Sequence, residues 1–283
     1  MSHFSCMVIG DNPERLLQPF HEYECTGIKD KYVKFVPTTE NIEEEFAKHK
    51  GDYKSLSGFA SDYYGYEKNE EGVWGRKTNP NAKWDWYQLG GRWSGSIIRL
   101  KPEAQGVVGN PGVFGNSVGV DSARKGDIDF ETRRNEAEAT ARERYKEVLA
   151  VFGGTLPKRD YNWKDMIDPE NPYFKDMDID EKHNMYHNQP AMFEVKKHSD
   201  VLGYFFELEE FECTEDEYAQ KARRNSCTTF AVIKDGKWYE RGKMGWWAIV
   251  SNEKDMNDWN KQVEDILDDV SDDTLISIYD CHI

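Results

Sequence analysis

Strand-forming runs lie near both ends of this chain, and they constrain its fold more than any other feature. Residues 3–9 read HFSCMVI and residues 275–283 read LISIYDCHI. Both have the length and the β-favouring composition of buried strands. A third strand-rich region spans 228–250 and contains Asp235-Gly236, a typical hairpin turn. We therefore expect the first and last strands to lie side by side in the centre of one sheet.

Helical patterns separate these strands. The spacing of apolar residues and the capping residues, which include a Thr214/Glu217 capping box, predict where each helix begins and ends. The expected helices are 13–18, 39–50, 127–152, 214–224 and one capped by Ser251. The predicted class is α+β: a mixed, mainly antiparallel sheet with helices on one face. We expect a single domain over 1–283, in which the polar, weakly periodic 155–210 stretch is an insertion or peripheral lobe.

Charge and cysteine content limit the functional classes. The formal charge is −16, so non-specific binding of nucleic acid by the whole surface is not expected. No apolar run approaches the roughly 18 residues of a membrane helix, and the start of the chain does not resemble a signal peptide. Five cysteines without a CxxC spacing indicate neither a disulfide framework nor a zinc site of paired cysteines. The composition predicts a cytoplasmic protein without membrane contact.

Tryptophan and basic residues concentrate in two segments. Residues 74–101 hold six basic residues against one acidic residue, and 237–247 form a second such segment. Indole rings can stack on a base while cations hold a phosphate or carboxylate, which favours a small anionic, nucleotide-like ligand. The alternative is that these rings pack in the core. The candidate ligand-binding residues are Lys83, Trp84, Trp86, Arg92, Trp93, Trp246 and Trp247.

A second candidate site joins the two terminal strands. His3 and Ser5 share one face of the first strand, and Asp280 and His282 share one face of the last. If the strands are neighbours, two histidines converge and could serve as general base and general acid on a phosphodiester, with Asp280 orienting one imidazole. The alternative is that both histidines only make structural hydrogen bonds.

Other motifs indicate no cofactor and no metal. His183 and His187 are spaced for one helical face but lack the neighbouring glutamate of a zinc-binding HExxH motif. The HEYEC run, which includes Glu22 and Cys25, is interpreted as a half-exposed strand. The glycine-rich 106–119 stretch matches neither a Walker loop nor a dinucleotide fingerprint.

Several long motifs together resemble a known family. They are SHFSCMVIGDNPE, NPNAKWDWYQLGGRWSG, ARKGDIDF and a C-terminal segment ending in YDCHI. They resemble uncharacterised proteins encoded by bacteriophages, prophages and plasmids, which open with an SHFTVLVIG-like strand. Ser5 stands where that opening has threonine, which keeps a hydroxyl. The resemblance implies a phage accessory protein made in a bacterial cytoplasm, and it carries over no catalytic residue.

Three functional hypotheses follow. The first is a phage-encoded accessory protein that binds a small nucleotide-like anion and counters host defence. The second is a phosphodiesterase-type hydrolase that uses His3 and His282. The third is an acidic inhibitor that docks on a basic host protein. The sequence leaves open whether the protein is an enzyme.

Overall fold

The two terminal runs form strands that pair antiparallel along their length. This pairing is seen in a computed structural model that describes residues 2–49, 51–112, 118–203, 206–245 and 249–283. In chain order the strands are β1 (His3–Ile9), β2 (Lys34–Pro37), β3 (Glu67–Lys68), β4 (Trp74–Thr78), β5 (Trp86–Gly91), β6 (Asn110–Pro111), β7 (Ser122–Arg124), β8 (Ala231–Lys234), β9 (Lys237–Glu240), β10 (Lys243–Met244), β11 (Val250–Ser251) and β12 (Leu275–His282).

Helices occupy much of the remaining chain. They are α1 (Pro13–Leu17), α2 (Tyr23–Thr26), α3 (Ile42–Lys48), α4 (Leu56–Tyr64), α5 (Phe130–Val151), α6 (Trp163–Ile167), α7 (Ile179–His187), α8 (Pro190–Lys197), α9 (Ser199–Leu202), α10 (Glu215–Asn225) and α11 (Met256–Asp268). Short 3₁₀ helices span Gln18–Phe20, Lys125–Asp127 and Leu208–Phe211.

The main sheet has seven strands and places the chain's two terminal strands at its centre. Its order is β6-β5-β12-β1-β8-β9, and β7 also pairs with β12. The contacts of β12 with β1, β5 and β7 are antiparallel, as is that of β8 with β9, whereas β1–β8 and β5–β6 are parallel. The predicted fold class is therefore confirmed: the protein is α+β with a mixed, mainly antiparallel sheet.

Both faces of β1 are covered, which explains why most of its residues are apolar and do not alternate with polar ones. Phe4, Cys6 and Val8 lie in a buried cluster with Leu17 and Tyr279. On the other face of the strand, Met7 and Ile9 are also buried. A strand that is buried on both sides is held in place by close packing. The backbone of the residues at its end is therefore fixed in position.

The chain divides into two compact units. One comprises Met1–Asp129 with Thr228–Ile283, and contains the main sheet. The other comprises Phe130–Cys227, in which α5 packs on α10, and it includes the predicted 155–210 insertion. In the part of the chain that the structure describes, no helix is both long and apolar enough to cross a bilayer.

Local sequence signals account for several element boundaries. Asp235 and Gly236 both adopt positive φ between β8 and β9, as an Asp-Gly hairpin turn requires. Thr214 and Glu217 form the predicted capping box of α10. The cap of α11 is Asp255, whose carboxylate accepts from the backbone amides of Asn257 and Asp258, so the assignment of this cap to Ser251 was wrong.

Trp259 on α11 is fully buried, and its indole N–H donates to the carbonyl of Thr229 over 2.8 Å. We expect Trp259→Ala to lower the free energy of unfolding by about 3–5 kcal/mol, because it leaves a cavity and an unpaired carbonyl. Urea denaturation would measure the loss. The control is Trp86→Ala, which removes an indole that is 46% exposed and should cost about 1 kcal/mol or less. Equal losses would contradict the core role of Trp259.

Candidate functional site

The register of the central strands places two histidines against each other. His3 at the start of β1 lies directly opposite His282 at the end of β12. Their ring centroids are 4.9 Å apart and the ring planes meet at 72°, an edge-to-face contact. Both side chains are largely buried, with 17% and 14% of their surface accessible. The structure thus brings the two imidazoles into direct contact at one end of the sheet.

The first imidazole is held by a buried carboxylate. Nδ1 of His3 lies 2.8 Å from Oδ1 of Asp280, which is 1% exposed. The other carboxylate oxygen accepts a hydrogen bond from the backbone N–H of Arg92 over 3.0 Å. Because a carboxylate only accepts, Nδ1 of His3 carries the proton and Nε2 is left as the basic nitrogen.

The second imidazole has a carboxylate of its own. Nδ1 of His282 lies 2.6 Å from Oδ1 of Asp85, and the backbone N–H of Asp85 donates to the carbonyl of His282 over 3.0 Å. Nε2 of His282 is buried and finds no hydrogen-bond partner within the described ranges. A buried polar atom left in this way is costly, and it is a natural place for a ligand atom or water to bind.

Two of the predicted ligand-binding residues border this histidine pair. Trp86 is the cross-strand neighbour of His282 on β5, and its ring centroid lies 6.2 Å from that of His3. Its indole is 46% exposed, which is unusual for tryptophan. The side chain of Arg92 is exposed, and its backbone contacts Asp280. Trp86 can therefore contact a ligand that reaches the imidazoles, and the backbone of Arg92 adjoins the pair through Asp280.

Two other predicted ligand-binding residues, Lys83 and Trp84, already have partners in the fold. The ammonium group of Lys83 forms an ion pair of 2.8 Å with Glu240. Trp84 is buried, and its indole N–H donates to the carbonyl of Leu17 over 3.0 Å, so it packs in the core. Trp93 is half-buried. Trp246 and Trp247 lie outside the described residues, as does this part of the strand-rich region 228–250.

Three potential metal ligands lie beside His282. Glu22, Cys25 and Asp85 each place one ligand atom within 4.8 Å of the others. The sequence suggested that the HEYEC run is a strand, and this interpretation was wrong. Glu22 is the N-cap residue of helix α2, and Cys25 lies within that helix. A bridge between His21 and Trp84 holds this helix start next to Asp85. A thiolate with two carboxylates suits a divalent cation such as Zn²⁺.

Burial and nearby negative charges raise the pKa of two of these groups, Glu22 and Cys25. Burial raises the pKa of the Glu22 carboxyl, and the nearby charges of Glu24 and Asp85 raise it further. Burial likewise raises the pKa of the Cys25 thiol, together with the charges of Glu22 and Asp85. At neutral pH Cys25 is therefore a thiol and not the reactive thiolate.

Sequence reasoning missed Asp85, Glu22 and Cys25 as neighbours of the histidine pair. The one signal available was position: Asp85 immediately precedes the strand that pairs with the end of β12. That pairing is not encoded in any motif, so the contact emerges only from the fold. The chain matches no model of a known protein family, no curated protein and no solved structure.

Gly91 is required where β5 passes Asp280. It adopts a φ of +55°, and a Cβ built on it would overlap the Asp280 side chain. We expect Gly91→Ala to lower the free energy of unfolding by about 1–2 kcal/mol through backbone strain and a further 1–3 kcal/mol or so through the clash. The control is Gly72→Ala, with a φ of +79° but open space around it, which carries the strain alone. Equal losses in urea denaturation would show that Asp280 does not need this glycine.

Cys25 is exposed, yet its raised thiol pKa should make it slow to react. We expect iodoacetamide at pH 8 to alkylate Cys25 more slowly than a small unperturbed thiol, because less thiolate is present. Glu22→Gln removes a negative charge and should speed the reaction several-fold. Glu70→Gln makes the same change of charge at an exposed residue outside this cluster, and should leave the rate unchanged. Mass spectrometry of the modified peptide measures both, and no difference between the two variants would contradict the electrostatic coupling.

Proposed function

We propose that this protein binds a small nucleotide-like phosphodiester beside the histidine pair and cleaves it by general acid–base catalysis. The observation that supports this most strongly is the contact of two imidazoles, 4.9 Å apart, each bound at Nδ1 by its own carboxylate. This arrangement fixes both rings, and the buried Nε2 of His282, which has no hydrogen-bond partner within the described ranges, is left for a substrate atom. A positioned proton donor or acceptor contributes about 10²–10⁴-fold to a rate.

The two imidazoles take complementary roles in this proposal. The Asp280 side chain is 2% exposed, whereas that of Asp85 is 21% exposed. His3, whose ring centroid lies 6.2 Å from that of the exposed Trp86, is the general base, and His282 is the general acid. Asp280 and Asp85 act as positioning residues.

Trp86 and Arg92 are the proposed binding residues. The imidazole rings touch, so the phosphate must lie against their edges and not between them. The exposed indole of Trp86 can stack on a base, and the guanidinium of Arg92 can meet the phosphate. Lys83 and Trp84 would support the site from the surrounding structure, since both already have partners in the fold.

The biological setting of the proposal rests on the family resemblance alone. A phage-encoded protein in the bacterial cytoplasm would meet host nucleotides, and removing a nucleotide signal would counter host defence. Inhibition of a basic host protein by the acidic surface stays a separate prediction.

The test is cleavage of a panel of ribo- and deoxyribo-dinucleoside monophosphates and 3′,5′-cyclic nucleotides, followed by chromatography of the products. We expect at least one class to be cleaved, and His3→Ala and His282→Ala each to lower kcat about 10²–10⁴-fold. His187→Ala removes an exposed histidine of the other unit and serves as the matched control. Its rate should equal that of the wild type.

Binding is measured separately from turnover. A nucleoside 3′-monophosphate should raise the melting temperature of the wild type and of His282→Ala alike, because His282 acts on the leaving group. A raised melting temperature without cleavage of any diester would show that the protein binds the nucleotide but does not hydrolyse diesters, and would contradict the catalytic part of the proposal. Cleavage that survives in both histidine variants would contradict the proposed catalytic pair.

A further inference from the structure

Two short segments bring three metal-ligating side chains together beside His282. Glu22 immediately precedes helix α2, Cys25 lies within that helix, and Asp85 immediately precedes β5. One ligand atom of each of the three lies within 4.8 Å of the other two. Atoms bound to one Zn²⁺ at about 2.0–2.3 Å are at most about 4.6 Å apart. Small rotations of these side chains are therefore enough to close them around an ion.

The backbone that carries these ligands is held in place by the fold itself. The backbone N–H of Glu22 donates to the carbonyl of Trp84 over 2.6 Å, which joins the two segments next to the ligands. The side-chain amide of Asn79, which is buried, donates to the carbonyl of His21 over 2.8 Å and supports the same junction. Ligands on a backbone that is already ordered lose less conformational entropy when an ion binds.

The two carboxylates of this cluster have no basic side chain of their own. In the part of the chain that the structure describes, neither Glu22 nor Asp85 forms an ion pair with a lysine or an arginine. Nε of Arg76 lies 3.7 Å from a carboxylate oxygen of Glu24 instead. A divalent cation among the ligand atoms would pair with both carboxylates and offset their mutual repulsion.

His282 orients the Asp85 carboxylate. Nδ1 of His282 lies 2.6 Å from Oδ1 of Asp85, and because this contact uses one oxygen, the carboxylate keeps its second oxygen for an ion. The backbone N–H of Asp85 also donates to the carbonyl of His282 over 3.0 Å, so the two residues are held together twice. Carboxylates that bind metal ions in proteins are commonly hydrogen-bonded in this way, and the partner fixes their direction.

We propose that Glu22, Cys25 and Asp85 bind a zinc ion and that His282 positions Asp85 for it; this site does not depend on the proposed diesterase function. The thiolate selects a soft divalent ion, because Mg²⁺ and Ca²⁺ take oxygen ligands. Cys25 releases its thiol proton to water as the Zn–S bond forms. Three protein ligands leave one position of a tetrahedral ion for water, which can enter because Cys25 is exposed.

The test is a titration of the full chain with Co²⁺ after treatment with a chelator. Co²⁺ replaces Zn²⁺ in such sites, and a thiolate bound to it gives a charge-transfer band in the near ultraviolet. We expect this band to saturate at one Co²⁺ per chain. Zn²⁺ should abolish the band by displacing Co²⁺, whereas Mg²⁺, which prefers oxygen ligands, should leave it unchanged.

Matched variants identify the ligands. Cys25→Ser should abolish the band, and because Cys25 is exposed this change does not disturb the core. Cys213→Ser alters a half-buried cysteine of the other unit and should keep the band. Glu22→Gln should weaken Co²⁺ binding through loss of its charge, whereas Glu70→Gln, the same change at an exposed residue outside the cluster, should not. No band in the wild type, or a band that survives Cys25→Ser or is lost in Cys213→Ser, would overturn the site.

His282→Ala tests the positioning role. It should weaken Co²⁺ binding by about 10- to 100-fold, the usual cost of losing such a partner. At saturating Co²⁺ the band should equal that of the wild type, because all three ligands remain, whereas a variant that failed to fold would show no band. An affinity equal to that of the wild type would overturn the role of His282. Each of these results is independent of whether the protein cleaves a diester.

Discussion

The antiparallel pairing of β1 with β12 is the interaction on which the rest of this structure depends. It joins β8 and β9 on one side to β5, β6 and β7 on the other, so without it the main sheet would fall into two parts. It also sets His3 opposite His282 and Ser5 opposite Asp280. Because side chains alternate along a strand with a period of two, these four residues share one face. The core and the candidate site are products of the same register.

The sequence predicted the strands of this pair but not their register. Apolar runs and the period of two decide which side chains share a face, and a shift by two residues would preserve the faces. Such a shift would place His3 opposite Asp280 and separate it from His282. What fixes the observed register is the packing of Phe4, Cys6 and Val8 against the surrounding core, which no local pattern reports.

Residues that act through tertiary contacts were the hardest to find. Asp85 gains its partner because β5 lies beside β12, and the short sequence WYQLGG of β5, which ends in two glycines, gave little sign of that position. Helix α2 has four residues, too few for helical periodicity to be recognised in HEYEC. The tryptophans were no easier, because residues two apart share a face in a strand and only Trp86 of this pair lies in β5. The structure buries Trp84 and exposes Trp86.

The distance along the chain between the two halves of the site has a kinetic consequence. His3 and Asp280 are 277 residues apart in sequence and touch only after the ends of the sheet have met. The entropic cost of closing a loop grows slowly with its length, about as (3/2)RT ln n, but sheets rich in such non-local pairs fold slowly. Collapse of the unit Phe130–Cys227 on its own would shorten the flexible part of this loop before closure. The histidine pair can therefore form only once the two ends of the sheet have met.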